Sequence, residues 1–245
     1  MRIIMSPAKG FREWEGRTGS PVLLEKAEEI AQVLKKEAPE DLEKKMKISR
    51  SLSELNSERY RNFSFEKDLS PAIFSFEGTA FKALEPETLD NKSLEYLENH
   101  LFILSGLYGA LKPEDGIRPY RLDLNDGFRI NGKSLKTFFG DSVYRAVTDG
   151  DTIVNLASKE YSSFIIPYIK DETLLTCSFK VRKNGKRKEV STLSKKARGK
   201  MVRFMAENRI EDTEELKNFN SEGFRFYESV TEGKRQEYIF IKEEN

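Results

Sequence analysis

Apolar and polar positions repeat with two periods along the 245-residue chain, and together they predict a mixed α/β protein. Apolar residues three and four apart predict helices over 20–34, over 39–62 in two pieces, over 86–99, near 134–147, near 159–166 and over 192–208. Short apolar or alternating runs predict strands at 2–5, 72–76, 101–104, 120–124, 152–156, 174–183, 224–230 and 238–241. No linker or repeat interrupts these elements, so we expect one domain over 1–245. Its helices should wrap a curved mixed sheet or a barrel-like core.

A hairpin is predicted directly after the strand 174–183. Asn184-Gly185 is the preferred two-residue type I′ turn, because both central residues must accept a positive φ. Pairing across this turn places Arg182 opposite Arg187. Such a like-charge pair costs stability unless an anion approaches it.

The helix over 192–208 is amphipathic. Its apolar stripe recurs at spacings of three and four and consists of Leu193, Ala197, Met201, Phe204 and Met205. The other arc carries Lys195, Gly199 and Arg203 at i, i+4 and i+8 and is predicted to stay free. A glycine inside a helix costs about 0.5–1 kcal/mol relative to alanine. We therefore interpret Gly199 as a point of close approach, either for a phosphate backbone or for a neighbouring element.

Charge changes this picture more than composition does. The chain has 42 basic and 41 acidic residues, yet positions 180–203 hold eleven basic residues and one acid. A solvated charged face is one interpretation, and the adjacent basic hairpin favours the other, a surface that binds a polyanion. The candidate contact residues are Lys180, Arg182, Lys186, Arg187, Lys195, Lys196, Arg198, Lys200 and Arg203.

Cysteine and histidine usage excludes several kinds of site. Cys177 alternates with Phe179 on the apolar face of a predicted strand, so we expect a buried, unreactive thiol. His100 ends a predicted helix, where packing is the simplest role. One cysteine and one histidine leave no cluster for zinc, copper or iron–sulfur, and we expect no metal or cofactor. The sequence shows no membrane span or signal peptide, which predicts a cytoplasmic protein.

The segment 104–122 is the most unusual in composition. Gly106 and Gly109 follow a buried strand and are predicted to bring backbone N–H groups close to a ligand, as phosphate-cradling turns do. The segment matches neither common nucleotide-binding motif. A helix-hairpin-helix element is a further interpretation, although its glycines usually lie closer together.

Four blocks of sequence carry a family resemblance: Ser-Pro-Ala-Lys at 6–9, the segment 104–122, Asn-Leu-Ala-Ser-Lys-Glu-Tyr at 155–161, and Lys-Ala-Arg-Gly-Lys-Met at 196–201. Together they resemble the YaaA peroxide-stress resistance family. The resemblance implies a cytosolic protein that limits damage from hydrogen peroxide and intracellular iron. It also implies an unusual mixed α/β fold with a helix-hairpin-helix-like element, and DNA binding through a positively charged cleft. No catalytic residues come with it.

DNA, double-stranded or branched, is therefore the expected partner, bound with little sequence preference and weakened by salt. The resemblance adds candidate cleft residues, namely Lys9, Lys112, Arg118 and Arg121. Arg118 and Arg121 have an alternative structural role, in which each pairs with Asp115 or Asp123 to fasten the loop.

An enzyme is the competing interpretation. Open α/β sheets bind ligands at the carboxyl ends of their strands. At those ends the sequence places Ser6, Lys9, Arg121, Asn155 and Glu160. A Ser/Lys pair can activate a nucleophile, and arginines can hold a phosphorylated or nucleotide-like small molecule. This interpretation predicts one closed pocket that joins all five side chains.

Overall fold

The computed structural model describes residues 1–244 and confirms the mixed α/β class. In chain order its strands are β1 (Arg2–Met5), β2 (Gly10–Phe11), β3 (Ser70–Pro71), β4 (Phe76–Glu77), β5 (Leu101–Ser105), β6 (Gly109–Leu111), β7 (Gly116–Ile117), β8 (Arg129–Ile130), β9 (Lys133–Ser134), β10 (Ile153–Leu156), β11 (Leu174–Lys183), β12 (Lys186–Lys188), β13 (Asn220–Ser221), β14 (Phe224–Glu232) and β15 (Arg235–Glu243).

Helices cover the sheet and its ends. They are α1 (Leu24–Leu34), α2 (Pro39–Met46), α3 (Arg50–Arg61), α4 (Ala72–Ser75), α5 (Thr79–Leu84), α6 (Asn91–His100), α7 (Leu135–Phe139), α8 (Ser142–Val147), α9 (Lys159–Ser162) and α10 (Ser191–Asn208). Short 3-10 turns lie at Pro86–Thr88, Ile166–Tyr168 and Thr213–Asn218.

The main sheet has nine strands in the order β13-β14-β15-β11-β10-β1-β5-β6, with β12 paired to β11. Its central strands are parallel, and β1 lies between β10 and β5, with Ile4 opposite both Asn155 and Phe102. These three strands are buried along almost their whole length, as expected when both faces of a parallel sheet are covered. Their carboxyl ends therefore meet at one edge of the sheet.

Two predicted strands are wrong. Residues 72–76 form α4 and the start of β4, because a short apolar run fits a buried helical turn as well as a strand. Residues 120–124 have no strand partner among residues 1–244 and run as an extended loop over Gly106. A methyl group on Gly106 would lie 2.5 Å from the Leu122 carbonyl oxygen, so this glycine permits the loop to pass. The predicted helix near 134–147 is also divided, into α7 and α8.

The carboxyl-terminal elements agree with their prediction. The β11–β12 hairpin places Arg182 opposite Arg187, and β14 and β15 form the second hairpin. The long helix α10 packs against β11, where the Ser194 hydroxyl donates to the Phe179 carbonyl at 2.9 Å. Cys177 is buried on this face, as predicted, and burial raises the pKa of its thiol to about 12.

His100 is the last residue of α6, as predicted. Its ring stacks on Tyr96 with 4.3 Å between centroids, and its Nδ1 lies 2.9 Å from the Met1 carbonyl oxygen. These contacts join the helix end to the start of β1.

Candidate functional site

A cleft of about 500 Å³ opens where β1 and β10 end, and we call it the edge cleft. Its charged and hydroxyl side chains are Ser6, Lys9, Glu77, Thr79, Tyr120, Arg121, Asp123, Ser158, Glu160, Tyr161, Lys195 and Arg198. The carboxyl edge of an open parallel sheet is where α/β proteins bind ligands, because the loops diverge there.

Ser6 holds the floor of the edge cleft together. Its Oγ accepts from the Ser158 N–H at 2.8 Å and lies 3.3 Å from the Ser158 hydroxyl, which joins the ends of β1 and β10. The Lys9 ammonium lies 2.5 Å from the Asp123 carboxylate. Ser6 is hydrogen-bonded to Ser158 and Lys9 is paired with Asp123, so the described residues contain no Ser6–Lys9 hydrogen bond. The predicted Ser/Lys nucleophile therefore does not form.

Buried tyrosine hydroxyls hold the loop 118–123 in place. The contacts are Tyr60 Oη to Arg121 O (2.5 Å), Tyr161 Oη to Asp123 Oδ1 (3.4 Å), Tyr120 Oη to Ser105 Oγ (2.6 Å) and Arg118 N to Tyr108 Oη (3.3 Å). Burial raises the pKa of all four hydroxyls, so they remain protonated. This support presents Arg121 to the edge cleft and Arg118 to a neighbouring cleft.

Gly199 explains how α10 reaches the edge cleft. A methyl group on Gly199 would lie 2.0 Å from the Ala80 carbonyl oxygen, so α10 crosses α5 at backbone contact. Lys195 and Arg198, three residues apart on one face of α10, are thereby brought to the cleft. The prediction of a free Lys/Gly/Arg face is wrong, because Gly199 is buried and Arg203 donates to the Leu84 carbonyl at 3.0 Å. Gly199 was interpreted as a point of close approach for either a phosphate backbone or a neighbouring element. The structure shows the neighbouring element, which is α5.

Arg198 is a largely buried cation of the edge cleft, with 18% of its side chain exposed. One of its terminal nitrogens donates to Glu189 at 2.9 Å, while its buried Nε has no acceptor among residues 1–244. Burial lowers the pKa of this guanidinium. A buried donor without an acceptor costs about 1–3 kcal/mol, and an anion in the cleft can reach only the exposed part of this guanidinium.

Most of the predicted DNA-contact residues form ion pairs, and in five of the seven pairs below the acid is distant in sequence. The pairs are Lys180–Glu237 (3.5 Å), Arg182–Glu243, Arg187–Glu228, Lys196–Glu222 (2.8 Å), Arg198–Glu189 (2.9 Å), Lys200–Glu85 (2.8 Å) and Arg203–Glu207 (2.8 Å). Three predicted residues, Lys186, Lys195 and Arg121, have no carboxylate within 4 Å in the described part of the chain.

The basic stretch forms two surfaces instead of one. Neighbouring residues of a strand point to opposite faces of the sheet, so Lys180 and Arg182 point away from α10. The guanidinium carbons of Arg182 and Arg187 lie 5.1 and 4.4 Å from the ring centroid of Tyr227. The opposed arginines thus contact internal glutamates and one aromatic ring, and the expected requirement for an outside anion is met within the chain.

Other predicted residues lie outside the edge cleft. Lys112 is 3.9 Å from Glu98, and Arg118 is 3.6 Å from Asp68 beside a second cleft, of about 720 Å³. Neither arginine of the loop forms the predicted ion pair with Asp115 or Asp123. The Asp115 carboxylate instead accepts from the Lys112 N–H at 2.8 Å.

Asn155 was predicted to join the enzyme pocket, and that prediction is wrong. The side chain is 4% exposed, donates to Thr176 Oγ1 at 3.2 Å and accepts from the Ala157 N–H at 3.0 Å. The other members of the predicted pocket, Ser6, Lys9, Arg121 and Glu160, do line the edge cleft. Asn155 therefore shapes the strand end beneath the cleft.

The turn at 105–109 does not cradle a ligand. The Leu107 and Tyr108 N–H groups donate to Ser105 Oγ at 3.1 and 2.9 Å, and the whole turn is buried. Gly109 has φ +74° and packs against Leu23 and Phe139. The phosphate-cradling prediction is therefore wrong, and the described residues do not confirm a helix-hairpin-helix element.

Comparison with protein-family models gives one match that covers nearly the whole chain. Residues 1–230 match the family described as peroxide stress protein YaaA. The chain belongs to the YaaA peroxide stress family. A UPF0246 protein of Clostridioides difficile is 40% identical over 99% of this chain and 100% of its own length. A UPF0246 protein of Neisseria meningitidis is 36% identical over 100% of this chain and 99% of its own length.

The four blocks that carry the YaaA resemblance meet at the edge cleft. Each contributes lining residues: 6–9 supplies Ser6 and Lys9, 104–122 ends at Arg121 and Leu122, 155–161 supplies Ser158 and Glu160, and 196–201 supplies Arg198. Segments up to about 190 residues apart thus build one site. No helix within residues 1–244 combines the length and apolarity that a membrane crossing requires.

Sequence reasoning missed two sets of residues. Thr79 and Tyr161 complete the edge cleft, and Tyr161 was within a recognised block although its side chain was not singled out. Trp14 and Arg59 line the second cleft. Arg59 lies on α3 among other polar residues, where nothing in the pattern distinguishes it from an arginine in solvent.

Proposed function

We propose that this YaaA-family protein acts in peroxide defence in the cytoplasm by binding DNA with little sequence preference, and that the edge cleft is its main phosphate contact. The observation that supports this proposal is the convergence of the four family blocks with the cations Lys9, Arg121, Lys195 and Arg198. Cations that neutralise phosphates release the counterions condensed on DNA. Iron ions held at DNA phosphates would be displaced in the same way, which links DNA binding to protection from peroxide.

The individual cations should contribute unequally. Arg121 and Lys195 have no carboxylate within 4 Å among residues 1–244, so each can meet a phosphate without breaking an ion pair. Lys9 must exchange the Asp123 carboxylate for a phosphate. Exposed ion pairs are worth about 0–1 kcal/mol, so this exchange lowers the gain without forbidding contact.

Fluorescence anisotropy of a labelled duplex, measured over a salt series, tests the proposal. The Arg121→Ala, Lys195→Ala double variant should bind about tenfold more weakly at low salt, and its slope of log affinity against log salt should be flatter by about 2. A control that removes two paired surface cations elsewhere, Arg145→Ala with Lys234→Ala, should behave as the wild type. Affinity that is independent of salt, or equal in the two double variants, would overturn the proposal.

An enzyme acting on a phosphorylated or nucleotide-like small molecule remains a second proposal, supported by Ser6, Lys9, Arg121 and Glu160 in one cleft. The volume of about 500 Å³ is within the range of small-molecule sites. Because Lys9 is paired with Asp123, this second proposal does not include a Ser6 nucleophile activated by Lys9. It does include binding of the phosphorylated ligand, which the geometry of the cleft allows.

A further inference from the structure

Two walls of the edge cleft carry different sets of polar groups. Lys195 and Arg198 of α10 form one wall with Glu77 of β4 and Thr79 at the start of α5, and cationic donors predominate there. Asp123 and Glu160 belong to a second wall, formed by the loop after Arg121 and by α9, which also carries Arg121 and the Lys9 that pairs with Asp123. The Glu160 carboxylate accepts from the Asn125 N–H at 3.2 Å, which ties the loop to α9.

Between these walls the edge cleft is lined by apolar side chains. Met5 and Leu156 come from the ends of β1 and β10, and Pro7, Phe81 and Leu122 come from the loops and α5. The resulting site has cationic donors, an apolar surface and carboxylate acceptors. A ligand that fits all three has an anionic end, a body with apolar faces, and hydroxyl or amino donors.

We propose that the edge cleft binds a nucleoside phosphate monoester, with its phosphate on Lys195 and Arg198 and its sugar and base donors toward Asp123 and Glu160. The inference rests on the proposed function, because it specifies what the same cleft takes from nucleic acid. The ligand has two sources with the same chemistry, a free mononucleotide or the phosphate-bearing end of a broken DNA strand.

Charge and size separate this ligand from an internal stretch of duplex. A monoester phosphate carries about −1.5 to −2 charges at pH 7, whereas an internal diester carries one. Lys195 is exposed at the edge cleft and has no carboxylate within 4 Å in residues 1–244, so the more highly charged group gains more there. A cleft of about 500 Å³ holds a small ligand, while a duplex can lie only across its mouth.

Calorimetric titration with deoxyadenosine 5′-monophosphate, with deoxyadenosine and with inorganic phosphate tests the ligand class. The monophosphate should bind at least about tenfold more tightly than either part alone, because both walls are then engaged. Lys195→Ala and Arg198→Met should each lose about tenfold, while the control Arg145→Met should not change. Lys195 is exposed, so its variant keeps the test valid even if the Arg198 variant fails to fold.

Anisotropy with a nicked duplex whose 5′ end at the nick carries either a phosphate or a hydroxyl separates the two sources. A preference of about tenfold for the phosphate end assigns the ligand to broken DNA. Monophosphate binding without this preference assigns it to free nucleotides. If monophosphate binds no better than inorganic phosphate and the two ends bind equally, the inference is overturned. The proposed function survives that result if intact duplex still binds in a salt-dependent way through Arg121 and Lys195.

Discussion

The two ends of the basic stretch 180–203, the β11–β12 hairpin and the start of α10, are continuous in the sequence but have different surroundings in the fold. At the hairpin, Arg182 and Arg187 pair with Glu243 and Glu228 of the neighbouring carboxyl-terminal strands. At the start of α10, Lys195 has no such partner among residues 1–244, and Arg198 is only partly satisfied. Arg182 and Arg187 are thus paired within the chain, whereas Lys195 keeps an unpaired charge beside the edge cleft. Lys186 of the hairpin is also unpaired in the described part of the chain, but it does not line that cleft. Cations that remain unpaired beside a cleft are better candidates for binding than cations that are merely numerous.

The largest expected effect comes from Gly199→Ala, which tests how the α10 end of this comparison is built. The new methyl group would lie 2.0 Å from the Ala80 carbonyl oxygen, so α10 must move away from α5. Overpacking of this kind costs about 1–3 kcal/mol or more, and urea unfolding should show the loss. DNA affinity should fall as well, since Lys195 and Arg198 move with the helix.

Gly127→Ala is the matched control for this substitution. Its nearest neighbour would be 3.6 Å away, which is ordinary contact. Its unfolding free energy should stay within about 1 kcal/mol of the wild type. Equal stability of the two variants would contradict the close crossing of α10 and α5.

The hairpin arginines should become available for DNA binding when the glutamates that pair with them are removed. In the Glu228→Gln, Glu243→Gln double variant, Arg182 and Arg187 lose their carboxylate partners. Two additional phosphate contacts should steepen the salt dependence of duplex binding by about 2 in the log–log slope. The same measurement on Glu25→Gln with Glu28→Gln, an equal charge change on α1, should show a smaller effect. If the two double variants show the same salt dependence, the ion pairs do not prevent the hairpin arginines from binding DNA.

A smaller effect is expected from pH at Asp126, whose carboxylate accepts from the Asp123 N–H beside the edge cleft. Burial raises the pKa of Asp126 from 3.8 to about 6, although this hydrogen bond and the charges of Lys9 and Arg121 oppose the shift. The folded state therefore holds this proton more tightly than the unfolded chain. Its contribution is favourable at low pH and is lost as the pH rises from about 4 to about 6.

Asp126→Asn removes this dependence. The free energy of unfolding of the variant minus that of the wild type should rise as the pH increases from about 4 to 6. Above about pH 6 this difference should be constant. Chemical denaturation across this range measures the difference. A difference that is the same at every pH would show that the carboxyl group of Asp126 does not titrate abnormally.

Much of the scaffold followed from local patterns. The strands β1, β5, β10 and β11, the helix α10 and both terminal hairpins were predicted because each one depends on periodicity or on a specific turn. The loop 120–124 was predicted as a strand because Tyr120, Leu122 and Leu124 alternate. They are buried, but the tyrosine hydroxyls and Gly106 hold the backbone away from any strand partner.

The site was less predictable than the scaffold. The edge of the sheet could be anticipated, since residues after β1 and β10 must lie near each other, and Ser6 and Glu160 do. The ion pairs could not be predicted from the sequence, because Glu228 and Glu243 are more than 40 residues from the arginines they pair with and no local pattern connects them. The burial of Gly199 could not be predicted either, because it depends on the crossing of α10 and α5, and no sequence pattern indicates that contact.

The most direct test compares duplex binding by two double variants at the same salt concentrations. One removes the edge-cleft cations, Arg121→Ala with Lys195→Ala, and the other removes the paired hairpin cations, Arg182→Ala with Arg187→Ala. We predict that the edge-cleft variant loses more affinity and has the flatter salt dependence. A larger loss in the hairpin variant would contradict the claim that the edge cleft, and not the densest run of charge, is the main phosphate contact.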